Sequence, residues 1–237
     1  MRYRVQVLGW ALVWSGLFVF GYLGWQIYGT DFINAGVQSE AAGELESTLD
    51  EVEPESEQVD RDEFLGETED PPTEIPEVVD YFPEEAVSTG QSFAFLTIPK
   101  IGLDGVVVYE GVDRETLKSG PGHMERTPLP GQPGNSVLSG HRTTYGRPFF
   151  DFDLLVADDR IEVETATGTH VYAVRETLIV EPTDVWVTDP RPGGWLTLTT
   201  CNPKFSARER LIVFAELVAG PNLDYINLQQ EISVQAN

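Results

Sequence analysis

A single cysteine, Cys201, stands in the 237 residues. That excludes an internal disulfide framework and a zinc site built from several thiolates. Histidine is nearly as scarce: His123, His141 and His170 are scattered without the paired spacing of a metal site. Asp151, Asp153, Asp158 and Asp159 lack the spacing of a calcium loop and read as solvated surface. No metal or cofactor is expected. Basic residues are also few, 15 Lys and Arg against 39 Asp and Glu, for a formal net charge of -24. Phosphate backbones need a basic patch, so a nucleic-acid partner is not expected. No internal repeat is visible. The acidity is unevenly spread: residues 31–90 carry 20 acidic residues against one basic, whereas 91–220 carry 17 against 12.

What is present begins with an uncharged apolar run, Val5 to Tyr28, long enough to cross a hydrocarbon layer of roughly 30 Å as a helix. Trp25 and Tyr28 stand at its far end, where amphipathic aromatics favour an interface. Arg2 and Arg4 precede it and no basic residue follows closely. The expectation is a retained single-pass anchor, residues 1–30, with a cytoplasmic N-terminus. A cleaved signal peptide is the alternative, but the run is long for one and no small-residue cleavage pattern closes it. Residues 31–90 are expected to be an acidic, largely disordered spacer. Asp31 to Asp50 can start it as a short helix, with Ile33, Val37, Leu45 and Leu49 at roughly helical spacing.

From Gln91 the character changes. Phe93–Ile98, Val106–Glu110, Asn135–Gly140, Arg160–Val163, His170–Glu176, Leu178–Val180, Trp186–Val187, Trp195–Cys201 and Leu211–Leu217 read as strands between Gly and Pro turns, with little helix. Many short strands of this kind predict an all-β domain, a closed β-barrel over residues 91–220, followed by a short polar tail at 221–237.

Chemistry concentrates in the last third. In Trp195-Leu-Thr-Leu-Thr-Thr-Cys201, leucine and threonine alternate as in a half-buried strand, which Asn202-Pro203 breaks just past the cysteine. Arg208 and Arg210 follow seven and nine residues on. Positive charge at a strand end favours the thiolate, the nucleophilic form of cysteine. His141 also sits just past a strand and opens a polar Gly/Pro-punctuated loop, where functional residues concentrate. His123 and His170 read as structural or solvated. On composition alone, a lone cysteine such as Cys201 reads more readily as a small buried hydrophobe without chemistry.

Two motifs resemble sortases, the cysteine transpeptidases of Gram-positive bacteria: Thr197-Leu-Thr-Thr-Cys201 and Leu138-Ser-Gly-His141. Leu96-Thr-Ile-Pro99, Gly120-Pro-Gly-His123 and Leu129-Pro-Gly-Gln-Pro-Gly-Asn135 agree, and the resemblance covers about Phe93 to Leu217. The wording of Gly140–Gly146 and Thr200–Leu211 is most similar to the class E group of actinobacteria. The resemblance implies a sortase-type barrel that cleaves an LAXTG- or LPXTG-type C-terminal sorting signal between Thr and Gly and joins the threonine to an amine. The implied partners are surface proteins carrying that signal and a peptidoglycan precursor or pilin amine as acceptor. It also implies catalytic roles for Cys201, His141 and Arg210, the arginine at the start of the following strand. Thr200, Tyr145 and Arg208 are expected near the substrate, with Thr200 equally placed to fit the strand alone. Two rivals remain at this point. One is a pilin-polymerising sortase, for which a lid near Phe82-Pro83 is conceivable; the other is a non-catalytic barrel on a stalk with Cys201 in its core.

Overall fold

The computed structural model describes residues 2–25, 29–61, 76 and 78–235. The central part of the acidic segment, 62–75, and Tyr28 lie outside the described residues.

Helix α1, Arg2–Gly24, contains a span, Gln6–Gly24, long and apolar enough to cross a membrane. None of that span is covered by the rest of the protein. Helix α2, Thr30–Glu51, follows. Two short strands, β1 Glu57–Asp60 and β2 Val78–Tyr81, pair antiparallel as a separate ribbon.

The remaining strands close into a barrel. They are β3 Ser92–Ile98, β4 Leu103–Glu110, β5 Gly122–His123, β6 Gly134–Ser139, β7 Arg160–Thr165, β8 Gly168–Val180, β9 Gly194–Asn202 and β10 Glu209–Ala219. The order around the barrel is β10-β8-β7-β3-β4-β5-β6-β9. The β4–β5 and β6–β9 pairs are parallel and the others antiparallel. Closure removes the exposed strand edges that would otherwise invite aggregation. The all-β barrel expected from the pattern of short strands is therefore present. Leu96, Leu138, Ile161, Leu196, Leu198 and Val213 fill its interior with the stacked rings of Phe149 and Phe152. Each such fully buried side chain contributes roughly 1.5–3 kcal/mol.

Besides β1 and β2 inside the segment read as spacer, β5 where a turn was expected, and a helix at Leu223–Gln235 in the polar tail, three segments differ from the reading of their sequence. His170–Glu176 and Leu178–Val180 are one continuous strand, β8. Trp186–Val187 is no strand but part of a 3-10 turn, Val185–Thr188. Asp184 receives the Glu181 amide at 2.8 Å and closes that loop on itself before a strand can start. The third difference is α2, which lies docked on the barrel inside the segment read as spacer. Its inward stripe is Asn34, Gln38, Ala41, Leu45 and Leu49; of the four residues the apolar pattern selects, Leu45 and Leu49 lie in it, whereas Ile33 and Val37 face outward. The polar members are buried because they complete backbone. Gln38 accepts from the Val107 amide at 2.8 Å and donates to the Val107 and Ser119 carbonyls. Asn34 donates to the Lys118 and Ser119 carbonyls. Leu45 then packs on Val107 and Tyr109.

At the opposite end of β6 from His141, Asn222 and Gln132 bind the Phe82 backbone, and helix α3, Leu223–Gln235, lays Leu228 against Val79. Six residues of β6 separate the two ends by roughly 20 Å. The segment around Phe82-Pro83 thus does not cover the Cys201 end.

His170 is fully buried beside Thr165, Thr167 and Glu84, its Nε2 3.9 Å from the carboxylate. Burial pushes its pKa down to about 4 from an ordinary 6.5. Between those pH values the unfolded chain takes up a proton that native His170 refuses, so its contribution is present above pH 6.5 and is lost as pH falls toward 4. The loss amounts to about 3 kcal/mol over that window. In urea titrations at a series of pH values, His170→Gln is expected to lose less stability than the parent by that amount. Identical pH profiles would contradict this.

Candidate active site

The ladder around β9 decides which side chains meet. In the antiparallel pair with β10, Arg210 is directly opposite Cys201. In the parallel pair with β6, Ser139 is opposite Thr199. The alignment runs on past the strand end, with the Gly140 amide donating to the Thr199 carbonyl at 3.1 Å and the Thr200 hydroxyl to the Gly140 carbonyl at 2.7 Å. Continued two steps past the last pair, Ser139 and Thr199, the same alignment would set His141 level with Cys201. Cys201 and Arg210 thus stand side by side on adjacent strands, and His141 lies two residues past the end of β6, on the other side of β9.

Cys201 and Arg210 also share a face. Leu196 and Leu198 belong to the interior cluster, so Thr197, Thr199 and Cys201 point to the outside of the barrel. Ile212 and Phe214 on β10 point the same way, forming an outer cluster with Val187. Asn135 holds the β8–β9 loop over this face. It donates to the Val187 and Asp189 carbonyls and accepts from the Thr197 hydroxyl at 2.6 Å. Thr200, one step off, faces the other side and is buried. Its single hydroxyl proton is committed to Gly140, so the structure uses it to fit the strand.

Cys201 is half-buried and free. His141 is also half-buried, with Nε2 shielded and without a hydrogen-bond partner among the described residues. Burial lowers its pKa below the ordinary 6.5. The Tyr145 ring lies against the imidazole with centroids 5.0 Å apart. Gly140 lets the chain pass close over Phe149, since a Cβ there would lie 2.6 Å from the ring. Arg210 Nη1 donates to the Ala207 and Glu209 carbonyls, each at 3.0 Å, leaving the other three of its five N–H donors outside those bonds. Arg208 is not brought in. It precedes β10, is largely exposed, and lies 3.4 Å from Glu209.

One residue escaped the reading of the sequence. Arg142, next to His141, is 4% exposed, and its guanidinium reaches both sides of the site. Nη1 donates to the Cys201 carbonyl at 3.2 Å and to Asn202 Oδ1 at 2.6 Å. Nη2 donates to Asp153 at 2.7 Å and Nε to the Phe150 carbonyl at 3.4 Å. Lys204 joins through Asp151 and Asp153, so these two aspartates are paired and not a free acidic surface. Asp153 is held below its ordinary pKa by the Arg142 and Lys204 hydrogen bonds, against the opposing effect of its partial burial. The available signal was an arginine directly after a candidate histidine, but a polar loop predicts an exposed side chain. Among the described residues no group of three or more His, Cys, Asp or Glu is placed to hold a metal.

Comparison with known proteins gives consistent results. The family described as the sortase domain matches residues 96–218, just over half of the chain. Sortase SrtE1 of Streptomyces coelicolor is 39% identical over an alignment of 146 residues, and the match covers 54% of this chain and 41% of that protein. Sortase D of Bacillus subtilis is 34% identical over 135 residues, 55% of this chain and 66% of that protein. The match thus spans less than two thirds of these curated relatives. Among solved structures, sortase E of Streptomyces avermitilis is 39% identical with a TM-score of 0.51, covering 56% of this chain and 91% of that one. Sortase E1 of S. coelicolor, solved with a tripeptide in its active site, is 34% identical with a TM-score of 0.53, covering 58% and 94%. A Clostridium perfringens sortase D5 transpeptidase reaches a TM-score of 0.59 at 25% identity and covers 78% and 99%.

Arg142→Ala strips partners from the Cys201 carbonyl, Asn202 and Asp153. The expected cost in urea denaturation is about 2 kcal/mol. Arg142→Lys is expected to restore only part, since one ammonium cannot span acceptors on two sides as a planar fork does. An Arg142→Ala chain as stable as the parent would show that the bridge contributes nothing.

Proposed function

The chain belongs to the sortase family, and from that premise we propose that it is a membrane-anchored cysteine transpeptidase acting through Cys201, His141 and Arg210. The observation that supports the reading is that Arg210 pairs directly with Cys201 across β9 and β10, while His141 follows two residues past the last β6–β9 pair.

The reaction runs in two halves. The Cys201 thiolate attacks the Thr carbonyl carbon of the Thr–Gly bond in a C-terminal sorting signal, forming a C–S bond and an oxyanion. Arg210, always charged, stabilises that oxyanion through its remaining N–H donors. His141 as imidazolium gives its proton to the glycine nitrogen as the C–N bond breaks, leaving a thioester and a free amine. Neutral His141 then takes a proton from an incoming amine, which attacks the thioester and releases the thiolate. Nε2 has no hydrogen-bond partner among the described residues, so no group there competes for its proton. Its lowered pKa favours the neutral form that the second half needs.

The substrates are surface proteins with an LAXTG- or LPXTG-type signal, and the acceptor is a cell-wall amine. The tripeptide in the active site of S. coelicolor sortase E1 supports a peptide substrate. Helix α1 is the anchor. Arg2 and Arg4 hold its N-terminus in the cytoplasm and the barrel stands outside. Arg208 lies at the rim of the site.

The test uses the full chain in lipid nanodiscs with LAXTG and LPXTG peptides and an amine, products being read by mass. The parent is expected to form the ligated product. Cys201→Ala, His141→Ala and Arg210→Ala are each expected to lower turnover by at least roughly a hundredfold, the scale of removing a proton-transfer group or an oxyanion donor. Arg208→Ala is expected to keep much of it. Full activity in Cys201→Ala would sink the reading, and equal loss at both arginines would show the assignment to be too narrow.

A further inference from the structure

The first turn of α2 meets the loop that follows His141. Asp31 Oδ2 is 2.9 Å from Arg147 Nε, and Asp31 Oδ1 accepts the Gly146 amide at 3.0 Å. The Thr30 hydroxyl receives the Tyr145 amide at 3.5 Å. These three loop residues are all left-handed, with φ of 53° at Tyr145, 76° at Gly146 and 50° at Arg147. Residues other than glycine hold that conformation only where their surroundings impose it. Gly146 is required twice over, since a Cβ there would also lie 2.1 Å from Asn34 Oδ1. A cavity of about 450 Å³ lies between α2 and the barrel at this point, lined among others by Asp31, Gln38 and Arg147. The loop is therefore held to α2 by these polar bonds and not by continuous packing.

We propose that Asp31 is a positioning residue for His141. By fixing residues 145–147 in their left-handed form, it keeps the Tyr145 ring against the imidazole. The inference rests on His141 being the acid–base group. It gives the membrane-proximal helix a part in the reaction, because α2 begins six residues after α1 ends and carries the clamp at its first turn. The helix itself stays docked without Asp31. Asn34 and Gln38 bond to the Val107, Lys118 and Ser119 backbone, and Leu45 packs on β4. The clamp can thus be opened without unfolding α2.

The experiment uses the full chain in nanodiscs, labelled with ¹³C-histidine, with the His141 resonance assigned by its loss in His141→Gln. Tyr145 displaces the His141 Cε1–H signal by its ring current. Asp31→Ala is expected to abolish most of that displacement. It is also expected to slow single-turnover acylation by an LAXTG-type peptide about tenfold with little change in KM, the scale on which small misplacements act. Asp31→Asn keeps an acceptor for the Gly146 amide and is expected to retain most of both. Glu40→Ala, on the exposed side of α2, is expected to change neither. An unchanged His141 signal in Asp31→Ala overturns the clamp, whether or not acylation slows. An unchanged acylation rate with a lost displacement overturns the positioning role. If the parent itself forms no acyl-enzyme, the transpeptidase reading fails, and the resonance alone decides the clamp.

Discussion

The register of β9 between two unlike neighbours is the constraint on which the rest of the molecule depends. A parallel ladder to β6 and an antiparallel ladder to β10 meet on one strand, and their alignment sets Arg210 opposite Cys201 and ends β6 two residues short of His141. A slip of one residue would turn Cys201 into the barrel and Leu198 and Leu196 out of it. Interior packing penalises that slip heavily, since both leucines are fully buried. The same alternation that makes a stable core therefore aims the cysteine outward. Core stability and site geometry are one property here.

The loops that finish the site share a device. Where chain segments cross without a ladder between them, a buried polar side chain completes the backbone. Gln38 does so for Val107, Asn135 for Val187 and Asp189, Arg142 for Cys201 and Phe150, and Asn222 for Phe82 and Gly131. Each is costly to bury unless fully paired, so each works in one arrangement of its partners. These bonds fix loops that apolar packing leaves free. Arg142 ties the His141 loop to the strand carrying Cys201, and the α2 clamp holds the same loop from its far side.

Much of this was legible in the chain. Period-two patterns gave the barrel strands, and Gly/Pro punctuation their ends; Cys201 with the strand before it and His141 at a strand end stood out in the same way. What was not legible has a common physical cause. Asn34, Gln38 and Arg142 are buried because they bond to distant backbone, and no local pattern marks a polar residue as buried for that reason. An apolar reading of α2 therefore selected Ile33 and Val37 on the wrong face. The spacer reading of residues 31–90 allowed a short helix at 31–50 but not its docking on the barrel through two polar side chains and one leucine. Thr200 needed the structure too, because only the neighbouring strand shows where its single proton goes. Register sets Arg210, the arginine the family resemblance implied, and not Arg208, opposite Cys201.

The central claim is that one ladder level makes Cys201 the nucleophile. It is tested most directly by locating the covalent intermediate. The full chain would be mixed with an LAXTG-type peptide without an acceptor amine, quenched in acid, digested and sequenced by tandem mass spectrometry. The account predicts a thioester on the peptide containing Cys201, carrying the substrate up to its threonine and nothing of the glycine side. An acyl group on any other residue, or turnover without any acyl adduct at Cys201, would contradict it.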